Sequence, residues 1–250
     1  MFTLLRIMIE LCEPPLDLGT ACKLTACRYD RDGDVTQLAK QTQITLPKRL
    51  ANAVNKRKVE YLSGRYCVAE SLSQLTSDFS PYALANSIDN AEDRSPVWPV
   101  GYVGAITHSH SFAAAAVAQN KYTRSVGIDS EQLIKEKTAE AIHSQIITND
   151  ETYSPDISQG LSEREYLTVL FSAKESIYKC LHPLVKQFFG FDAASVTLVP
   201  CNATDQQHIF HFTLLKQLND EFCLSYKGEG HWRFHAGFAH TAVVLSTDLS

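Results

Sequence analysis

Glu60-Tyr61-Leu62-Ser63-Gly64-Arg65-Tyr66-Cys67-Val68-Ala69-Glu70-Ser71-Leu72 aligns without gaps on Glu165-Tyr166-Leu167-Thr168-Val169-Leu170-Phe171-Ser172-Ala173-Lys174-Glu175-Ser176-Ile177. Five positions are identical, and Ser/Thr, Tyr/Phe and Leu/Ile pairs lie among the rest. Downstream of each copy comes an alanine- and valine-rich stretch led by phenylalanine, at residues 112–118 and 238–244. Two matches in the same order predict a duplicated chain, joined near residues 120–125. The competing account is that amphipathic helices resemble one another in any case. The fold expected is α+β, as two similar α+β halves over residues 1–123 and 124–250.

Each half mixes helix and strand signals. Residues 56–75 have helical spacing, with Val59, Leu62, Tyr66 and Ala69 on one stripe. Ser162 followed by Glu165 predicts a capping box, opening a helix that runs to Leu181 and stops before Pro183. Residues 103–107, 114–118 and 125–128 are short strand-like runs. After Gly190 the pattern turns to strands at 196–199, 209–214, 222–226, 232–239 and 242–245. The connectors between them, at 200–202, 217–220 and 227–230, carry turn residues. Residues 73–99 and 148–161 read as polar loops.

The 250 residues are enough for one large domain or two small ones, each with its own core. A net charge of -5 excludes broad sequence-independent nucleic-acid binding, but leaves room for a local basic pocket. The seven cysteines are odd in number and contain no Cys-x-x-Cys pair, which predicts free thiols in a reducing cytoplasm. Residues 1–11 are apolar, but Arg6 and Glu10 interrupt them and no small-residue cleavage site follows, so an N-terminal strand is expected. No apolar run approaches the roughly 20 residues of a membrane span.

Two segments carry the chemistry. In Ser125-Val126-Gly127-Ile128-Asp129-Ser130-Glu131, the two acids are two apart, so on a strand they share a face. Hard oxygens grouped in this way suit Mg²⁺, whose shell is completed by water and phosphate; a solvated acidic turn is the bland alternative. In Phe171-Ser172-Ala173-Lys174-Glu175-Ser176-Ile177-Tyr178-Lys179, Glu175 and Lys179 lie one helical turn apart, with Lys174 beside them. Ser172, Glu175, Ser176 and Lys179 form a polar stripe on an otherwise apolar helix, consistent with a seam facing a partner or a cleft. A surface ion pair is the plain alternative.

Ser176-x-x-Lys179 also matches the serine–lysine signature of penicillin-binding enzymes, but this serine lies mid-helix and the partner motifs are absent. His231, His235 and His240 do not make a zinc site in this reading, because on a strand His240 faces opposite to the other two.

Val126-Gly127-Ile128-Asp129-x-Glu131, followed about forty residues later by Phe171-Ser172-x-Lys174-Glu175-Ser176-x-x-Lys179, resembles the paired signature of surfactin-type 4′-phosphopantetheinyl transferases. Val97-Trp98-Pro99 and Gly104-Ala105-Ile106-Thr107-His108-Ser109 resemble the additional motif of the branch that includes enterobactin synthetase component D. Arg57 and Arg65, flanking Glu60-Tyr61, resemble that branch's basic helix. The match spans residues 57–183. The resemblance implies a pseudo-two-fold pair of α+β halves with coenzyme A in the cleft between them. It implies Mg²⁺ on Asp129, Glu131 and Glu175, and coenzyme A held by Arg57, Arg65, Thr107, His108 and Lys174. Glu175 would be the base and Lys179 would stabilise or protonate the leaving phosphate. Arg94 is a weaker basic candidate.

The implied reaction moves the 4′-phosphopantetheine arm from coenzyme A to a serine of an apo acyl, aryl or peptidyl carrier protein, releasing 3′,5′-ADP. Siderophore, polyketide and fatty-acid assembly lines all contain such carriers. A monomer is expected, cytoplasmic and either free or peripheral to a biosynthetic complex. Ala105 stands where the branch often has serine, and Phe171 where other members have tryptophan. The rival reading is a non-catalytic protein that binds coenzyme A or a carrier on the same duplicated scaffold.

Overall fold

The computed structural model describes residues 8–77, 80–154, 158, 160–199 and 207–247. The chain divides into two compact units, one built on Gly19–Gln119 and the residues before Pro15, the other on Asn120–Ser250 with residues 15–18.

In the first unit, β1 (Ile9–Cys12), β2 (Cys22–Tyr29), β5 (Tyr102–Ser109) and β6 (Phe112–Gln119) form an antiparallel sheet in the order β1-β2-β6-β5. The inner strand β6 reads Phe-Ala-Ala-Ala-Ala-Val-Ala, with residues 112–118 all buried. Alanine is a poor strand former, but here its small side chain lets neighbouring elements come close. Helix α2 (Asn55–Ser73) uses that room: Ser71 Oγ reaches the Ala115 carbonyl at 3.0 Å and Thr25 Oγ1 at 2.9 Å. A Cβ on Gly64 would stand 2.9 Å from Ile106 Cγ2, so this glycine fixes how closely α2 approaches β5.

Helices α1 (Val35–Thr42) and α3 (Pro81–Ser87) complete the unit, with the two-stranded ribbon β3 (Asp89–Asn90) and β4 (Pro96–Val97). The core gathers Leu38, Val59, Leu62, Val68, Leu72 and Ile88. Residues 73–99, expected to be loop, therefore contain α3 and the ribbon. Pro81 at the start of α3 and the Ser80 side chain capping Ala83 N open this short helix.

In the second unit, β7 (Thr123–Gln132), β8 (Ala194–Leu198), β9 (His208–Leu214), β10 (Lys227–His235) and β11 (Phe238–Ser246) form an antiparallel sheet in the order β7-β11-β10-β9-β8. Helices α4 (Glu136–Ile146) and α5 (Glu163–Val185) accompany it. The predicted capping box is present, with Ser162 N donating to Glu165 Oε2 at 2.8 Å and Ser162 Oγ accepting from Glu165 N.

Four expectations need correction. The strand expected at 232–239 is broken by a turn at Ala236 and Gly237, both with positive φ, between β10 and β11. Helix α5 continues through Pro183 to Val185, because Leu184 and Val185 pack on the core and Lys186 closes the helix in the left-handed conformation, donating to His182 O. Residues 222–226 form no strand; Phe222 is buried in the core from a turn. Residues 227–230 are strand rather than connector. The rings of Phe212 and Phe210 lie where Cβ atoms on Gly228 and Gly230 would stand, each 2.3 Å from the nearest ring carbon, so those glycines are seats for aromatic rings. The predicted turn at 200–202 and the first seven residues lie outside the described residues.

Candidate active site

In the second unit the approach of α5 to β7 sets the geometry. A Cβ on Gly127 would stand 2.0 Å from the Ser176 carbonyl oxygen and 2.5 Å from Cys180 N. Only glycine permits that contact, and it brings the polar stripe of α5 against the acids of β7. Asp129 is 3% exposed. Its Oδ2 accepts from Ser172 Oγ at 2.9 Å and its Oδ1 from Lys179 Nζ at 2.6 Å. Thr241, paired with Asp129 across β7 and β11, ties Ser172 and Ser176 together through its hydroxyl at 2.9 and 2.6 Å. Ser176 is thereby part of the scaffold.

One ammonium meets Asp129 directly and feels the charges of Glu175 and Glu131. Burial presses Lys179 down, but Asp129, Glu175 and Glu131 together outweigh it, and its value ends above the ordinary one. Burial also raises the Glu175 carboxyl; Lys179 opposes the rise and Asp129 adds to it. Three negative charges against one positive charge leave two negative charges when all four groups are ionised, the charge that a divalent cation balances. Hard carboxylate oxygens are the donors that Mg²⁺ takes. Among the described residues no three His, Cys, Asp or Glu side chains are closed up as a metal cage. Lys179 holds Asp129 Oδ1 instead. The donor set therefore fits Mg²⁺ in kind and in charge.

Lys174 is placed elsewhere. Its side chain is 2% exposed, and it donates to Glu151 Oε2 at 2.7 Å, to Ile146 O at 2.6 Å and to Phe191 O at 3.1 Å. An ammonium has three hydrogens, and these contacts use all three. Glu151, with its side chain 0% exposed, also accepts from Thr148 N and Val196 N, both at 2.7 Å. The pair thus joins the end of α4, the following loop, α5 and β8. Burial lowers the Lys174 value, and Glu151 opposes that.

The first unit holds the cationic cluster. A pocket of 140 Å³ is lined by Arg49, Arg57, Arg65, Arg94, His108 and Glu60, among others. Arg57 Nη1 lies 3.1 Å from His108 Nε2. A guanidinium only donates, so Nε2 accepts and the imidazole proton sits on Nδ1, 3.9 Å from Glu60 Oε2. Arg65 is 4% exposed, with its guanidinium over the Tyr61 ring and one nitrogen donating to Ile88 O at 3.2 Å. Its Nε is buried with no hydrogen-bond partner.

Helix α2 opens with Asn55-Lys56-Arg57-Lys58, with no acid in its first turn and no side-chain cap. Cations at the positive end of a helix dipole are unfavourable alone and become favourable around an anion. The ring of Trp98 packs on β5 at Gly104, with ring carbons 2.5 Å from where a Gly104 Cβ would be.

The structure thus brings Arg57, Arg65 and His108 to one pocket in the first unit, and joins Lys179 to Asp129 in the second; Glu131 and Glu175 lie on the same strand and helix, but the three acids are not gathered as a metal site among the described residues. Thr107 joins neither cluster: by strand alternation it is buried on the face of β5 opposite His108. Arg49 was not singled out from sequence. It lies in the basic pair Lys48-Arg49, seven residues before the triplet Lys56-Arg57-Lys58, and that spacing gave no periodic signal to pick it.

A two-unit α+β chain with guanidiniums gathered in one unit and carboxylates around an ammonium in the other is equipped for phosphate chemistry. Residues 46–118 match the 4′-phosphopantetheinyl transferase N-terminal domain, and residues 125–241 match the 4′-phosphopantetheinyl transferase superfamily. The chain is 31% identical over 211 residues to the 4′-phosphopantetheinyl transferase Npt of Nocardia iowensis, covering 79% of this chain and 86% of that protein. It is 33% identical over 175 residues to enterobactin synthase component D of Salmonella typhi, covering 69% and 68%. It is 29% identical over 202 residues to the 4′-phosphopantetheinyl transferase PptT of Mycobacterium tuberculosis, covering 78% and 82%. The chain belongs to the 4′-phosphopantetheinyl transferase superfamily and is a transferase enzyme.

Proposed function

We propose that this enzyme transfers the 4′-phosphopantetheine arm of coenzyme A to a serine of an apo acyl, aryl or peptidyl carrier protein, with Mg²⁺, releasing 3′,5′-ADP. The observation that carries the proposal is the contact of Lys179 with Asp129 at 2.6 Å, which sets the helix that carries Glu175 against the strand that carries Asp129 and Glu131. Asp129, Glu131 and Glu175 would hold the ion, which when bound supplies positive charge to the pyrophosphate oxygens.

The carrier serine oxygen attacks the β-phosphorus, and the bond from that phosphorus to the bridging oxygen breaks. The electron pair leaves with 3′,5′-ADP. The serine proton passes to Glu175, the carboxylate that α5 sets one turn from Lys179. Lys179 stands one turn along α5 from Glu175, and its flexible stem lets it exchange Asp129 for the leaving phosphate. Arg57, Arg65 and His108 take the 3′-phosphate, where guanidinium forks suit phosphate geometry. Lys174 is the buried cation that fixes the start of the catalytic turn of α5.

In this reading the two units are pseudo-two-fold halves with coenzyme A in the cleft between them, as the internal echo suggests. The enzyme is a cytoplasmic monomer, free or peripheral to an assembly line; among the described residues no helix is long and apolar enough to cross a membrane. A dimer by light scattering would contradict the monomer. The reaction itself is tested by its stoichiometry. One 3′,5′-ADP should be released for each carrier serine consumed, and none without carrier. Release of ADP without any loss of apo carrier would point to hydrolysis and sink the proposal.

A further inference from the structure

The ribbon β3–β4 brings one neutral side chain into the middle of the arginine cluster of the first unit. Asn90, half-buried on β3, accepts at Oδ1 from Arg49 and, at 3.5 Å, from Nη2 of Arg65. Its Nδ2 donates to the carbonyl of Arg94 at 2.6 Å. That last bond closes the turn between β3 and β4, in which Ala91 N bonds Ser95 O and Arg94 takes a left-handed φ of 70°. One amide therefore contacts three of the four arginines that line the 140 Å³ pocket.

The chemistry of this hub is specific. Two guanidiniums sharing an acceptor normally do so on a carboxylate, which holds them but also neutralises them. A carboxamide holds them by the same oxygen and leaves their charge for a ligand. Arg49 and Arg65 also share the Tyr61 ring, at 5.5 and 5.1 Å. Asp89, whose Oδ1 lies 3.7 Å from Arg49 Nε, is 78% exposed, so it screens Arg49 weakly. The buried Nε of Arg65, without a partner, is a second mark of a pocket built for an anion.

We propose that Asn90 is a positioning residue of the phosphate pocket, and that Arg49 is a further ligand to the 3′-phosphate of coenzyme A beside Arg57, Arg65 and His108. This deepens the function proposed above and rests on it.

The test is calorimetric titration of the full chain with coenzyme A and with dephospho-coenzyme A, which lacks only the 3′-phosphate. Asn90→Asp keeps the shape and the acceptor but adds a charge. It should weaken coenzyme A about tenfold or more, the scale of a hydrogen bond to a charged group, and leave dephospho-coenzyme A within about twofold. If Asn90→Asp fails to fold by circular dichroism, Arg49→Met, at a side chain 39% exposed, carries the same expectation. Variants that bind coenzyme A as the parent does, or that lose both ligands equally, would overturn the inference. A parent protein that binds coenzyme A no more tightly than dephospho-coenzyme A would overturn it too, with the function intact. A parent protein that binds neither ligand would bring down the proposed function itself.

Discussion

Lys179 donates to Asp129 Oδ1 at 2.6 Å, joining the helix that carries Glu175 to the strand that carries Glu131. In this structure the ammonium is the counter-charge of Asp129. During transfer the same ammonium would serve the leaving phosphate. Lys179→Met should lower kcat by about a hundredfold or more, the scale of losing one electrostatic donor in a preorganised site. KM for coenzyme A should change far less. A variant that loses KM and keeps kcat would make Lys179 a binding residue only.

Glu175 is held at a cost to the fold. Burial raises its carboxyl value, so the native state binds this proton more tightly than the unfolded chain. Stability from this group therefore falls as pH rises from the unfolded value towards the folded one. Glu175→Gln removes the titration. It should raise the Tm of the metal-free protein, more in neutral than in mildly acidic buffer, while transfer is lost. A lower Tm than the parent at neutral pH would show that the charged form is welcome where it sits.

The buried pair Lys174–Glu151 lends itself to a double-mutant cycle. Breaking such a pair by Lys174→Met leaves Glu151 charged and unpaired, at about 3–5 kcal/mol. Adding Glu151→Gln removes that charge and keeps an acceptor for Val196 N, so urea unfolding should recover much of the loss. If the loss in the double variant equals the sum of the losses in Lys174→Met and Glu151→Gln alone, the two residues are not coupled. Recovery of coenzyme A affinity in the double variant would separate a structural lysine from one that touches phosphate.

Gly127→Ala should be costly for its size. Its Cβ would meet backbone atoms of α5, which cannot rotate away, and overpacking of this kind costs roughly 1–3 kcal/mol. Because α5 carries Glu175 and Lys179, kcat should fall along with stability. Parent-like activity would mean that α5 can shift without disturbing the acids.

Much of the fold was legible where one element obeys one period. Helix α2 and the capped start of α5 follow that rule, whereas β5 to β7 were read from short apolar runs. Strand β2 and helices α1 and α4 went unread: Cys22–Tyr29 has a nearly continuous buried run, and α4 buries only Ile146 among its eleven residues, so neither shows a clean stripe. Gly228 and Gly230 resemble turn residues until the two phenylalanines are seen on them. At the site, Asp129, Glu131, Glu175 and Lys179 were readable because strand and helix spacing align them. Lys174 was not, because nothing local tells an ammonium which face of α5 it leaves by, and its partner Glu151 lies in an irregular segment. Asn90 and Arg49 act through a ribbon that sequence periodicity does not predict.

The most direct measurement is the intact mass of apo peptidyl and acyl carrier proteins after incubation with the enzyme, coenzyme A and Mg²⁺. A gain of one phosphopantetheine arm is expected, absent with a chelator and absent with Glu175→Ala. No gain on any carrier, with coenzyme A still bound in a Mg²⁺-dependent way, would contradict catalysis and leave a binding protein on this fold.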